Sequence, residues 1–587
     1  MLIDEFYNLG VAFFNNQKYE EAIVNFKKAL NLNPNLLHAY NYIGNALQER
    51  KQFDEAITYY QKAIQINPDD PTAYMNLGIL YQNIKQHDES IIHFKKVIEL
   101  HPNLSIAYDY MGLSLALQGK IEQAYESYQS SLHLNPKSIM SLVNLGNLTA
   151  RQGHLEEAEG LYKRAMQANP YRSEPYGALL MNMLYNPRYD TQTIYSEHCR
   201  IANMFAEPLS VNIKQHLNEC TSNRTLRIGY VSPNFNRHPV AFFIEPVIAF
   251  HNRKKFEVFC YSDVQISDEI TERIISSVDH WRNIDNISDE SADILIRKDK
   301  IDILIDLAGH TANNRLLLFA RKPAPVQATY MGYPGTTGLS TIDYKIVDKY
   351  TDPLGTTEQY YSEKLIRLPN SFVCYQPDKY SPIVNILPAL ANRYVTFGSC
   401  NNLSKISNEV FVTWGRILKT LPNARLILKD LSFADIATCY SVKKMFAEKE
   451  IDPERITLET WEKSPKHLEV YNRIDIALDP FPFNGLTTSC EAMWMGVPIV
   501  TFAGIAYASR AGVSLLSNVG LKELVAKTSD EYISIAVNLA KDLKRLQSLR
   551  VHLRDMMTCS PLCDAKRFTE NLEICYRTMW ETWCNSE

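Results

Sequence analysis

Two patterns of apolar and polar positions share this chain. In the first, which runs to residue 170, the same kinds of residue return every 34 positions. Glycine stands at Gly10, Gly44, Gly78, Gly112 and Gly146, and a small residue at Ala22, Ala56, Ser90, Ala124 and Ala158. An aromatic follows at Phe26, Tyr60, Phe94, Tyr128 and Tyr162, and proline at Pro34, Pro68, Pro102, Pro136 and Pro170. Series that keep one phase leave little room for chance. The period is that of helix–turn–helix repeats: small residues let two helices approach, the aromatic fills the gap between repeats, and proline ends one unit and starts the next. Five such pairs over residues 3–170 are expected to stack into a right-handed solenoid with a concave groove. The second pattern begins at Leu226, where short β-branched runs alternate with helical ones, as βαβ units and a parallel sheet require.

Within that second pattern, LRIGYVS at 226–232, FEVFCYS at 256–262 and IDILIDLAG at 301–309 read as strands, with a helix after Val240. A break falls near 376–391. A second set comes after it: YVTFGS at 394–399, ARLILKD at 424–430, RITLE at 455–459, IDIALDPF at 474–481 and PIVTFAG at 498–504, with a helix after Ser407 and a helical tail from Asp530 to Trp583. The fold expected is an all-α solenoid joined to a pair of doubly wound α/β domains facing each other across a cleft. The expected boundaries are repeats over 1–170, a polar helical bridge over 171–223, a first lobe over 224–385, a second over 386–545, and a C-terminal helix at 546–587 that packs back. Substrates belong at the carboxyl ends of the strands.

Composition narrows the function more than it suggests one. At 45% apolar, 22% charged and a net charge of −5, the 587 residues carry no basic field, so nucleic acid is not an expected partner. No run approaches the roughly 18 apolar residues of a membrane helix. MLIDEFYNLG has neither the basic nor the apolar stretch of a secretory signal, so a cytoplasmic protein is expected. Eleven cysteines without a CxxC pair argue against zinc and against a disulfide framework. The strand ends carry no GxGxxG and the chain no GxxxxGK[ST], which disfavours dinucleotide oxidoreductases and P-loop NTPases.

The richest stretch is LDPFPFNGLTTSCEAMWMGVP, 478–498. A strand runs into a turn at Asn484 and Gly485, and Thr487 and Thr488 open a helix. Backbone N–H groups, two hydroxyls and the helix dipole converge there, which suits a diphosphate. Glu491, one turn on, could take a ribose; an ordinary capping box is the alternative. Lys405, in the loop after FGS, could neutralise a leaving diphosphate or be merely solvated, and Arg510 is a second candidate for that role. His238 in NFNRHPV and His310 in DLAGHTANN, each just past a strand, could orient or deprotonate an acceptor hydroxyl, or be structural. His467 could stack on a nucleobase. No DxD motif ends a strand, so chemistry without a metal is expected. In the repeats, Asn8, Asn76 and Asn144 stand two residues before the glycines, with Tyr42 and Tyr110 interrupting the row; such asparagines could hold the backbone of a protein or peptide acceptor in the groove.

Taken together, LRIGYVSPNFNRHPV, GHTANN, PAPVQATYMGYPGTTGLSTIDY, FGSCNNLSK and LDPFPFNGLTTSCEAMWMGVP resemble the tetratricopeptide-containing protein O-glycosyltransferases of one GT-B family, which includes O-GlcNAc transferase and SPINDLY. The resemblance covers nearly the whole chain. It implies inverting transfer of a sugar to Ser or Thr hydroxyls, with no cofactor and with UDP-GlcNAc, or alternatively GDP-fucose, as co-substrate. It further implies that Lys405 and Asn402 lie at the diphosphate, Thr487 and Thr488 bind phosphate, Glu491 meets the ribose, His467 the base, and His238 the sugar and acceptor. Asn402, Glu491 and GHTANN resemble SPINDLY, whereas SRAGVS around Arg510 resembles O-GlcNAc transferase. A repeat adaptor without catalysis is the reading from another class.

Overall fold

The computed structural model describes residues 2–211, 213–221, 223–460 and 466–586. Contacts divide the chain into two units, Met1–Leu148 and Thr149–Glu587.

The smaller unit is a stack of helix pairs: Leu2–Asn15 with Tyr19–Leu32, Leu37–Glu49 with Phe53–Ile66, Pro71–Asn83 with His87–Leu100, and Ser105–Leu117 with Ile121–Leu134. The 34-residue period has a steric cause. A Cβ added at Gly10, Gly44, Gly78 or Gly112 would stand 2.6, 2.4, 2.5 or 2.7 Å from the ring of Phe26, Tyr60, Phe94 or Tyr128, so each glycine is the seat of its own repeat's aromatic. The same rings face the following repeat, where Phe26 stacks on Tyr42 with centroids 5.1 Å apart and Phe94 on Tyr110 at 5.6 Å. The two tyrosines that interrupt the asparagine row are therefore committed to packing between repeats. Acidic residues open the second helices (Glu20 and Glu21, Asp54 and Glu55, Asp88 and Glu89, Glu122), where they complement the helix dipole.

The larger unit begins inside the fifth repeat, not after residue 170. Ala150, Leu155, Ala158 and Tyr162 form one apolar cluster with Tyr176, Leu179, Leu180 and Met183 of the helix Glu174–Tyr185 and Ile201 of the helix Thr191–Phe205. The bridge helices bury the apolar face of the last repeat, which makes that repeat part of the larger unit's core.

Two parallel sheets make up the rest. The first contains β1 (Leu226–Ser232), β2 (Phe256–Ser262), β3 (His280–Asn283), β4 (Ile303–Asp306), β5 (Val326–Tyr330), β6 (Tyr344–Asp348) and β7 (Lys364–Leu368), in the order β3-β2-β1-β4-β5-β6-β7. The second contains β8 (Thr396–Ser399), β9 (Arg425–Lys429), β10 (Ile456–Glu459), β11 (Ile476–Leu478), β12 (Ile499–Phe502) and β13 (Val525–Ala526), in the order β10-β9-β8-β11-β12-β13. Strands β4 and β5 are buried along their whole length, as a sheet covered on both faces requires. The helix Ala565–Cys584 returns to the first sheet: the hydroxyls of Tyr576 and Tyr230 lie 3.0 Å apart, and Glu573 accepts from the N–H of Asn252 at 2.7 Å. Among the described residues no helix is long and apolar enough to cross a membrane.

Each sheet reverses its winding once, between β1 and β4 in the first and between β8 and β11 in the second. At such a switch point the flanking loops part and leave a crevice beyond the carboxyl ends of the strands.

Candidate active site

Several of the sequence-predicted residues stand at these two switch points. His238 follows β1 and His310 follows β4; Lys405 follows β8, and the Asn484–Thr488 turn follows β11.

In the second crevice, Thr487 is the first residue of the helix Thr487–Trp494. Its N-cap is Leu486, which makes no side-chain cap, so the capping-box alternative does not hold and the helix start keeps its N–H donors uncapped by any side chain. Lys405 Nζ donates to the Asn484 carbonyl at 2.9 Å and lies 4.5 Å from the centroid of the Phe483 ring, which aims the ammonium at the turn before that helix. Burial holds the ammonium below the ordinary lysine range, with Asp479 opposing the shift. Thr488 Oγ1 donates to Asn401 Oδ1 at 3.1 Å. Gly485 is compressed: a Cβ there would come within 2.6 Å of Thr488 Oγ1 and 2.9 Å of Asn401 Oδ1. Glu491 lies one turn along and meets His467 Nε2 at 3.1 Å, and both side chains are about 15% exposed. Residues 461–465, just before His467, lie outside the described residues. Asn402 starts the short turn that carries Lys405, its Oδ1 accepting from Ser404 N–H at 3.1 Å.

The turn owes its shape to a residue that motif reading passed over. Asp479, fully buried just past β11, accepts from Gly485 N–H at 2.7 Å and from the Thr501 hydroxyl at 2.6 Å. Burial raises its carboxyl above the usual range. Asn401 and Lys429, whose Nζ donates to the His467 carbonyl at 3.2 Å, were also missed, as was Tyr185, whose ring lies 4.9 Å from Phe483. A polar residue at the end of a strand, as in LDP and LKD, was the available signal for Asp479 and Lys429.

In the first crevice the histidines are neutral and locally bound. His238 caps the helix Pro239–Phe250, its Nδ1 accepting from Val240 N–H at 3.3 Å, so the neutral ring carries its proton on Nε2. Burial pushes it down to about 4. His310 donates from Nε2 to the Thr337 carbonyl at 2.8 Å, and burial pushes it down to about 4 as well. Beside it, His198 of the bridge is buried and 2.7 Å from the Tyr333 hydroxyl. The loop holding His310 is bound by Asp306, which accepts from the N–H groups of Ala308 and Gly309 at 3.0 and 2.9 Å.

Arg510 stands at the seam between the lobes. Its guanidinium donates to the carbonyls of Tyr350, beyond β6, and Gly504, beyond β12, at 2.8 and 2.9 Å, and so joins the two lobes. Ser514 donates to Asp348 across the same seam.

Glycosyl transferase family 41 matches residues 181–382 and 385–572, which take in both sheets and both crevices. The chain belongs to that family. Tetratricopeptide repeats match at 3–36, 71–104 and 138–169. A probable UDP-N-acetylglucosamine–peptide N-acetylglucosaminyltransferase SPINDLY of Petunia hybrida is 45% identical over 373 residues, 62% of this chain and 40% of that protein. One named SEC, of Arabidopsis thaliana, is 34% identical over 412 residues, 67% of this chain and 41% of that protein. The chain thus spans about 40% of the length of the curated relatives it matches. Among solved structures, a lysine-to-methionine mutant of the O-GlcNAc transferase of Thermobaculum terrenum superposes with a TM-score of 0.84 and 34% identity, covering 88% of this chain and 98% of that one.

Proposed function

We propose that this protein is an inverting glycosyltransferase that moves N-acetylglucosamine from UDP-GlcNAc to serine or threonine hydroxyls of proteins. The observation that carries the reading is the pairing, in the second crevice, of a half-buried lysine with a helix start that no side chain caps, both directed at the Asn484–Gly485 turn. A diphosphate there would take the helix N–H groups, the Thr487 and Thr488 hydroxyls and the Lys405 ammonium. Glu491 and His467, one turn along, would meet ribose and base. The names of the relatives support UDP-GlcNAc as donor.

In the reaction, the acceptor oxygen forms its bond to the sugar carbon as the bond to the diphosphate breaks on the opposite face. Negative charge grows on the leaving group, where Lys405 and the helix start act most strongly, and a metal ion is not required for that neutralisation. His238 presents an N–H, so it orients the acceptor or sugar as a donor, and a donor phosphate oxygen takes the hydroxyl proton. His310 lines the same crevice. Asn8, Asn76 and Asn144 of the repeats would hold the acceptor chain by its backbone. A cytoplasmic setting suits such acceptors.

The test is intact mass of a co-incubated acceptor protein with UDP-GlcNAc or GDP-fucose, in chelator. An added mass of about 203 Da supports the proposal and about 146 Da transfers it to fucose. No added mass, with no thermal shift from UDP or GDP, would leave a repeat adaptor.

A further inference from the structure

Outside the two crevices, the irregular segment entering β1 is fastened to the last helix, Ala565–Cys584. Trp580 Nε1–H donates to the Thr221 carbonyl at 3.3 Å, and Arg577 donates to the Arg224 carbonyl at 3.0 Å. The Arg224 guanidinium lies over the Trp580 ring at 4.7 Å and pairs with buried Asp302. Cys584 stands one helical turn beyond Trp580 on the same face, and Cys220 adjoins Thr221, so these contacts bring the two cysteines together. The Cys584 thiol interacts with the Cys220 thiol, whose own hydrogen bond goes to the Asn218 carbonyl at 3.9 Å, and Arg224 lies beside them. Cys220 is exposed, Cys584 half-buried, and both are free thiols. The two are far apart in sequence, so spacing could not reveal the pair.

We infer that Cys220 and Cys584 are a redox-reactive pair that closes to a disulfide and straps the segment entering β1 to the last helix. The co-reactant is a small disulfide such as oxidised glutathione. The exposed Cys220, as thiolate, attacks one glutathione sulfur, forms a mixed disulfide and releases one glutathione thiolate. Cys584 then loses its proton and attacks the Cys220 sulfur, the Sγ–Sγ bond forms, and the second glutathione leaves. In sum, two protons and two electrons pass from the protein to glutathione disulfide. Burial pushes the Cys584 thiol up to about 11, and the neighbouring Arg224 cation offsets this in part, which suits Cys584 to the second, resolving step.

The full chain is treated with oxidised glutathione and read by intact mass and by tryptic mapping without reductant. The expected result is a loss of about 2 Da and one linked peptide pair joining Cys220 to Cys584, split by dithiothreitol. The C584S variant should instead keep an adduct of about 305 Da on Cys220. A wild-type chain that holds that adduct without cross-linking, or whose Cys220 does not react, would overturn the inference.

Discussion

The two crevices are alike in topology and opposite in chemistry. Each opens where a parallel sheet reverses its winding, and each carries its polar residues just past the two flanking strands. In the first, both histidines are neutral and each has a ring nitrogen bonded to nearby backbone. In the second, a half-buried lysine and an uncapped helix start point at one turn. A single fold has thus placed a lysine beside a helix start in one crevice and two backbone-bound neutral imidazoles in the other. The contrast lies in which nearby groups each loop leaves unanswered, not in the sheets.

That contrast is easiest to break at Lys405. Replacing it with alanine should lower turnover by about 100- to 1000-fold, the scale of losing one oriented charge or donor in a transition state. The melting temperature should hold, because burial already opposes the ammonium. Steady-state kinetics with a thermal melt would check both, and a fall in melting temperature matching the lost activity would make the lysine structural. Gly485→Ala tests the turn itself. Its new Cβ would meet Thr488 Oγ1 at 2.6 Å and Ser489 Oγ at 2.8 Å, so calorimetry should find UDP bound about tenfold more weakly.

The first crevice is sharpened by a pair of substitutions. His238→Gln keeps an N–H near the position of Nε2 and should retain most of kcat, whereas His238→Ala should lose about tenfold. Equal losses would restore a general-base role, since an amide cannot take a proton. The smallest effect concerns pH. Lys405 is held below the ordinary lysine range, and nucleotide binding needs its cation. Affinity for UDP should therefore be full at low pH and weaken, as pH rises, earlier than an ordinary lysine would allow. A Lys405→Met variant titrated in parallel should show no such slope.

Much of this was legible in the sequence. The repeat phase is written in glycines and aromatics that touch each other, and β1 and β2 have the bounds their β-branched and aromatic runs predict. Strands β3 and β13 were not legible: HWRN is polar, and VA is two residues long. β5 and β6 hid for another reason. Gln327 and Lys345 are fully buried in them, and their partners are carbonyls of Phe319, Thr341 and Tyr333 that only the fold brings near. In the site, Lys405, Thr487, Thr488 and Glu491 stood out because they sit on a recognisable turn. Asp479 did not, since it holds backbone from beneath, and the carbonyls that Arg510 meets across the seam are brought near it only by the fold.

The grip of Arg510 on Tyr350 and Gly504 also bears on how fast the donor can enter and leave. One side chain spans the seam, so swinging the lobes apart would break its charge-assisted hydrogen bond to the Tyr350 carbonyl together with the Ser514–Asp348 bond. Nucleotide exchange should then proceed through loop rearrangement around a fixed jaw, and loosening that jaw with Arg510→Ala should speed product escape while blurring the geometry on which attack depends.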